Sequence, residues 1–244
     1  MRRVIIVQAR MTSTRLPGKV LMDLRGRPML GHQLRRLKIC RNCDEIVVAT
    51  TTNRDDDPIC ALADEEGVRW FRGGESDVLS RFVGAAVEAS AELVVRITAD
   101  CPLIDPDVSD RVIWEIETHA TECDYASNAV QRTFPRGLDT EAFFFDSLVR
   151  AARLAKSRPA REHVTYFILR EQPGLFLIRS VTDVEDNSDL RWTVDTPVDM
   201  AMAREIYKAL ELERQIVPYR DILSYVRGHP EIAAMNAWVV QKTE

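Results

Sequence analysis

Val4-Ile5-Ile6-Val7 is a short apolar run rich in β-branched residues, and Gln8-Ala9-Arg10-Met11-Thr12-Ser13-Thr14-Arg15-Leu16-Pro17-Gly18-Lys19 follows it directly. The run reads as a first strand, and the segment behind it as the loop at that strand's carboxyl end. In an α/β sheet this end is where ligands bind. Here it carries three cations (Arg10, Arg15 and Lys19), hydroxyl and amide side chains among them, and a Pro17-Gly18 turn. Cations offset phosphate charge, polar side chains donate to phosphate oxygens, and glycine lets the backbone come close. The turn ahead of Lys19 aims its ammonium back toward the strand end. The set suits a triphosphate. It is neither a GxxxxGK(S/T) loop nor a GxGxxG fingerprint, since both patterns are absent here.

Working outward, the first half alternates strands with helices. Residues 3–8, 45–50, 68–71 and 93–98 are short apolar runs bounded by turn residues and predict strands. Leu30, Leu34 and Leu37 share one face of a helix opening at Pro28. Ile59, Leu62 and Ala63 lie on a second helix, opening at Asp55-Asp56-Asp57-Pro58. Leu79, Phe82, Val83 and Ala86 share the face of a third, with Ser76 placed as its cap. This order predicts an α/β fold with a mostly parallel central sheet and right-handed crossovers. After residue 100 the pattern predicts a helix over 106–119, extended segments at 123–128, 138–145 and 175–181, and helices at 145–156, 159–171, 197–211 and 218–227. No linker divides the 244 residues, so a single domain is expected, with a substrate-binding and possible dimerisation region at about 123–185.

A hydrophobic content of 45% and a charged content of 29% are ordinary for a globular chain with a real core. The net charge of −5 argues against general nucleic-acid binding and makes the cluster at residues 10–19 a local feature. No apolar stretch reaches the roughly 18 residues of a membrane span, and Gln8 and Arg10 end the first apolar run too early for a signal peptide. A cytoplasmic protein with no membrane partner is expected. Cys40-Arg41-Asn42-Cys43 is a CxxC pair, but it closes a helix rather than opening one and has no second pair or His pair nearby, which favours a structural role.

Two further segments carry chemistry. In Arg96-Ile97-Thr98-Ala99-Asp100-Cys101-Pro102 an acid ends a strand and has no helix of its own to cap, which suits a magnesium ion above the sheet. Asp105, before Pro106, reads instead as a helix cap. In Arg191-Trp192-Thr193-Val194-Asp195-Thr196-Pro197-Val198-Asp199 a second acid follows an extended run, with Asp195 and Thr196 competing for the cap position. Asp100 and Asp195 could share one magnesium-triphosphate.

Ala9-Arg10-Met11-x-Ser13-Thr14-Arg15-Leu16-Pro17-Gly18-Lys19, Asp100-Cys101-Pro102 and Val194-Asp195-Thr196-Pro197-x-Asp199, in that order, resemble the sugar cytidylyltransferases. That family includes the CMP-ketodeoxyoctonate and CMP-acylneuraminate synthetases, and the branch most like this chain is that of the spore coat polysaccharide biosynthesis protein SpsF. The resemblance runs from residue 3 to about 210. It implies a Rossmann-like nucleotide-diphospho-sugar transferase fold, and a reaction in which CTP and an acidic sugar of the ulosonic type give CMP-sugar and pyrophosphate. Carried over, Ala9, Arg10, Met11, Ser13, Arg15, Gly18, Lys19 and Asp100 would bind the nucleotide. Arg15, Lys19 and Asp100 would be the catalytic set, with Asp100 and Asp195 on Mg²⁺. Thr133-Phe134-Pro135-Arg136-Gly137-Leu138-Asp139 and Arg161-Glu162-His163-Val164-Thr165 match blocks of the SpsF-like branch and would face the sugar. Arg136 suits a carboxylate, because a guanidinium binds one in bidentate fashion. Asp139 could pair with Arg136 or bind sugar hydroxyls. Val164, Phe167 and Ile168 read as core, whereas Glu162, His163 and Tyr166 point elsewhere and could reach a ligand. Related enzymes are often dimers, and Phe143-Phe144-Phe145 could serve either an interface or the core.

Three other functions are weighed against this one. A glycosyltransferase would need a DxD metal motif, but Asp55-Asp56-Asp57 and Asp105-Pro106-Asp107 both read as helix starts beside a proline. A nucleotidyltransferase using another nucleoside triphosphate and a sugar phosphate keeps the same chemistry. A non-catalytic nucleotide-binding subunit is disfavoured by the retained pair of Asp100 and Asp195.

Overall fold

A computed structural model of the chain describes residues 1–241. Its centre is one seven-stranded sheet. The strands are β1 (Arg3–Gln8), β2 (Glu45–Thr51), β3 (Arg69–Gly73), β4 (Leu93–Thr98), β5 (Tyr125–Ser127), β6 (Glu141–Phe144) and β7 (Ile178–Ser180), in the order β3-β2-β1-β4-β6-β5-β7. The first four are mutually parallel. β6 enters antiparallel to both β4 and β5, and β7 runs parallel to β5.

The parallel half forms because its strands are apolar on both faces. Ile5 and Val7 pack with Leu30, Leu34 and Leu37 of α1 (Met29–Leu37) and with Ile59, Leu62 and Ala63 of α2 (Asp57–Glu65). Val4 and Ile6 face Leu79, Phe82 and Ala86 of α3 (Val78–Glu88). Each fully buried Val, Ile or Leu contributes roughly 1.5–3 kcal/mol. α4 (Pro106–Thr118) joins the first face, and α5 (Phe145–Leu154) and α6 (Arg158–Glu162) the second. A third apolar cluster gathers Phe134, Leu138, Trp192 and Val194 under α7 (Pro197–Ala209) and α8 (Tyr219–Gly228), next to the short α9 (Pro230–Ala234).

Several local expectations change. The cap of α3 is Asp77, whose carboxylate accepts from the Ser80 N–H at 3.0 Å, and not Ser76. The helix expected over 159–171 is interrupted. α6 stops at Glu162, His163 is extended (φ −112°, ψ 96°), and a separate π-helical turn covers Phe167–Glu171. Val164, Phe167 and Ile168 are nevertheless buried. The phenylalanine run is core: Phe143 is fully buried, while Phe144 and Phe145 pack against opposite faces of the sheet. Cys40 is buried and Cys43 half-buried, and burial raises both thiols above their ordinary range.

Candidate active site

The loop after β1 is folded by its own backbone. The carbonyl of Met11 accepts from the N–H groups of Ser13 and Gly18, both at 2.9 Å. Gly18 has φ 70°, a left-handed conformation that glycine adopts without strain. The Ser13 hydroxyl accepts from the Leu16 N–H at 3.4 Å. Ala9 extends the pairing of β1 by donating to Ala49. The Met11 N–H donates at 2.7 Å to Asp56, a buried carboxylate that also accepts from Thr51. Of the two DxD candidates, then, Asp56 holds the loop. Asp105 caps α4, accepting from the Val108 N–H at 3.0 Å.

The closed loop delivers Lys19 to the carboxyl ends of the strands. Lys19 is 8% exposed, and its ammonium donates to Asp100 Oδ2 at 3.0 Å, to Asp195 Oδ1 at 2.9 Å and to the Val194 carbonyl at 2.8 Å, which uses all three of its protons. Burial works against the charge of Lys19, but the two carboxylates outweigh it and its pKa lies above the ordinary lysine value. Burial likewise opposes ionisation of Asp100. Lys19 and the Thr98 hydroxyl, which donates at 2.6 Å, prevail and hold its carboxyl below the ordinary range.

Asp195 gathers a further pair of cations. Its Oδ2 lies 2.9 Å from Arg15 Nη2 and 2.8 Å from Arg191 Nη2. It is free to do so because Thr196 takes the cap of α7, in a reciprocal capping box with Asp199. Asp199 is fully buried and accepts from Arg191 Nε at 3.0 Å and from the backbone N–H groups of Asp195 and Thr196. Arg10 lies further out, 3.8 Å from Glu75, whose carboxylate also accepts from Thr12 at 2.6 Å and Asn53 at 2.8 Å.

The structure thus brings Arg15, Lys19, Asp100 and Asp195 into one cluster and places Arg10 at its rim. The sugar-side residues distribute differently. Asp139 pairs with Arg132 in bidentate fashion, at 2.6 and 2.7 Å, and not with Arg136. The Arg136 backbone instead bridges to Arg191, accepting from the Trp192 N–H at 2.6 Å, and its guanidinium has no hydrogen-bond or ion-pair partner among the described residues. Burial, followed by the charge of Arg132, lowers the Arg136 pKa. Gly137 makes this approach possible. It has φ 111°, and a Cβ there would lie 2.5 Å from the Thr193 nitrogen. Glu162 pairs with Arg158 at 3.6 Å, and the His163 ring tilts against Tyr166 with centroids 6.4 Å apart.

Three features have no counterpart among the sequence-derived assignments. Arg191 and Asp199 brace Asp195, a role that neither the spacing Arg191-x-x-x-Asp195-x-x-x-Asp199 nor the place of Asp199 in the motif assigned to them. Arg96 pairs across the sheet with Glu141, which accepts from the Tyr125 hydroxyl at 2.6 Å and the Thr165 hydroxyl at 2.7 Å. Arg81 is 1% exposed at the carboxyl end of β3, where Nη1 donates to the Gly74 carbonyl at 3.0 Å and burial pushes the guanidinium down to about 10.

Cations and paired carboxylates converging at the carboxyl end of a mostly parallel, Rossmann-like sheet define a nucleotidyltransferase. The chain belongs to the cytidylyltransferase family, whose profile matches residues 4–221. It is 31% identical to the spore coat polysaccharide biosynthesis protein SpsF of Bacillus subtilis, over 94% of this chain and 96% of that one. It is 37% identical to the 3-deoxy-manno-octulosonate cytidylyltransferase of Anaeromyxobacter sp. (strain K), over 46% of each. The solved structure of a cytidylyltransferase from Leptospira borgpetersenii serovar Hardjo-bovis superposes with a TM-score of 0.91, at 30% identity and over the whole of both chains.

Proposed function

We propose that this protein transfers a cytidylyl group from CTP to an acidic sugar of the ulosonic type, giving CMP-sugar and pyrophosphate for surface polysaccharide synthesis. The observation that carries this reading is Lys19, held between Asp100 and Asp195 with Arg15 alongside. A sugar hydroxyl attacks the α-phosphorus of CTP. The new O–P bond forms as the bond to the bridging oxygen breaks, pyrophosphate leaves in line, and the hydroxyl's proton passes to solvent. Lys19, Arg15 and Arg10 offset the charge of the triphosphate, and the folded loop from Ala9 to Gly18 sets their positions. A depressed pKa makes the Asp100 carboxylate a weak base, so it orients the hydroxyl by accepting its hydrogen bond rather than keeping its proton.

The donor set also fits a magnesium ion. Two carboxylates whose oxygens both reach one ammonium offer hard oxygen ligands at close range, the kind a magnesium ion takes from a protein. Asp100 and Asp195 would hold it, and when bound it polarises the phosphate and stabilises the leaving group. Arg136, whose guanidinium has no pairing partner among the described residues, would take the carboxylate of the sugar. Asp139, Glu162 and His163 would line the same side. A homodimer working in the cytoplasm completes the proposal.

The test is a pyrophosphate-release screen with Mg²⁺ that crosses the four common nucleoside triphosphates with acidic sugars and sugar phosphates. Release with CTP and an acidic sugar is the expected result. Release with UTP and a sugar 1-phosphate alone would replace the substrate assignment while keeping the class.

A further inference from the structure

Beyond residue 221, where the family profile ends, the chain returns to Arg191 and Asp199. Ile232 of α9 is buried in the third apolar cluster, but Trp238 is 69% exposed and Val240 84% exposed. Met235, just past α9, still packs against that cluster, and polar contacts hold the tail beyond it. Asn236 is 2% exposed, and its amide nitrogen donates to Asp199 Oδ1 at 2.8 Å and to the backbone carbonyl of Arg191 at 3.0 Å. Gln241 accepts from Arg191 Nη1. The tail thus satisfies the one arm of the Arg191 guanidinium that neither Asp195 nor Asp199 engages, and Asn236 joins Arg191 to Asp199.

We infer that Asn236 is a positioning residue for phosphoryl transfer: it fixes Asp199 against Arg191, and this pair in turn fixes the carboxylate of Asp195. The inference rests on the reading of Asp195 as a metal ligand. Asp195 is held by three cations, but they are not equivalent. A triphosphate offers Lys19 and Arg15 competing anions. Arg191 is 8% exposed and bound to two carboxylates at once, so it keeps Asp195 in place when the others turn away. Its own orientation depends on Asp199, and one oxygen of Asp199 depends on Asn236. An amide suits this position because its nitrogen has two protons for two acceptors. Alanine would leave both acceptors short of a donor in a buried site. The outer partners of metal ligands typically act on metal affinity by tenfold or more.

The test is CTP binding by titration calorimetry across a range of Mg²⁺ concentrations, with thermal melts alongside. Asn236→Ala is expected to stay folded, to need about tenfold more Mg²⁺ for half-maximal CTP affinity, and to bind CTP in EDTA as the wild type does. A role limited to packing would lower the melting temperature and leave the metal dependence in place, and that result overturns the inference. Should Asn236→Ala fail to fold, Asn236→Ser decides, because a hydroxyl keeps a donor at the site but has one proton for the two acceptors. A two- to threefold rise in the Mg²⁺ requirement supports the brace, and no change overturns it. Wild-type protein that binds no CTP at any Mg²⁺ level overturns the functional reading and the brace with it. Metal-dependent binding untouched by either variant overturns the brace alone.

Discussion

The two sides of the sheet hold buried charge in opposite ways. On the nucleotide side, Lys19 and Arg15 share Asp100 and Asp195 at the rim, where the Asp100 side chain is 23% exposed and that of Arg15 26%. An anionic ligand can compete for those cations. On the other side, Arg96 meets Glu141 inside the sheet, and Glu141 also accepts from Tyr125 and Thr165, both buried. Burial, with Glu141 beside it, pushes the Tyr125 hydroxyl well above its ordinary pKa and keeps it a donor. One cluster is built to exchange partners and the other to keep them. The same residue types serve chemistry in the first and architecture in the second.

The largest expected effect breaks the exchanging side. Asp100→Asn keeps the shape but removes a negative ligand, and turnover should fall by about 10²–10³ or more. Melting should change little, because Lys19 retains Asp195 and the Val194 carbonyl. Pyrophosphate release near the wild-type rate would end the assignment.

Next comes the mirror-image experiment. Glu141→Leu strands Arg96, Tyr125 and Thr165 without their shared acceptor. Removing one partner of a buried pair costs about 3–5 kcal/mol, so urea unfolding should report a loss of that order. CTP affinity of the folded fraction should stay within about twofold, since no contact of Glu141 reaches residues 9–19. A variant as stable as the wild type, or one that loses CTP binding, would erase the contrast between the sides.

Arg136→Gln probes a position between the two. Its guanidinium is neither in the exchanging cluster nor locked into the network. The Michaelis constant for whichever acidic sugar the screen identifies should rise about tenfold, with that for CTP unchanged. Equal changes for both substrates would move Arg136 from the sugar side to the phosphate side.

The contrast also explains what could be read from the sequence. Asp100 sits just beyond β4, Lys19 in the loop that follows β1, and Asp195 just before α7, in short segments whose chemistry is local, so strand ends, turn residues and a helix start suffice to place them. Arg96 lies inside an apolar run, and its partner Glu141 arrives on an antiparallel strand 45 residues later. No spacing rule links them. The break at His163 was hidden for a related reason. Val164, Phe167 and Ile168 have helical spacing, but the donation of Thr165 to Glu141 belongs to a chain that leaves the helix there. Asp139 took Arg132 because the Arg136 backbone is committed to Arg191, a pairing set by the positive φ of Gly137. Asn236 follows a five-residue helix too short for a periodic signal.

The smallest effect is the pH dependence of the exchanging pair, and its sign follows from the two shifts. The Asp100 pKa is lowered, chiefly against burial and by Lys19, so its contribution to stability is present above the ordinary carboxylate titration near about 4 and is lost as pH falls through the depressed value. The Lys19 pKa is raised, so its contribution is complete below the ordinary lysine titration near about 10.4 and is lost as pH rises through the raised value. Between those limits neither group changes charge in the folded or the unfolded chain. The stability difference between wild type and Asp100→Asn, taken from urea melts, should therefore be flat from about pH 6 to 9 and shrink in acid and again in strong alkali. Subtracting the variant removes titrations common to both proteins, the buried His32 among them. A difference that moves between pH 6 and 8 would mean that Asp100 titrates near neutrality. It would then be a proton acceptor for the attacking hydroxyl rather than a fixed charge that orients it.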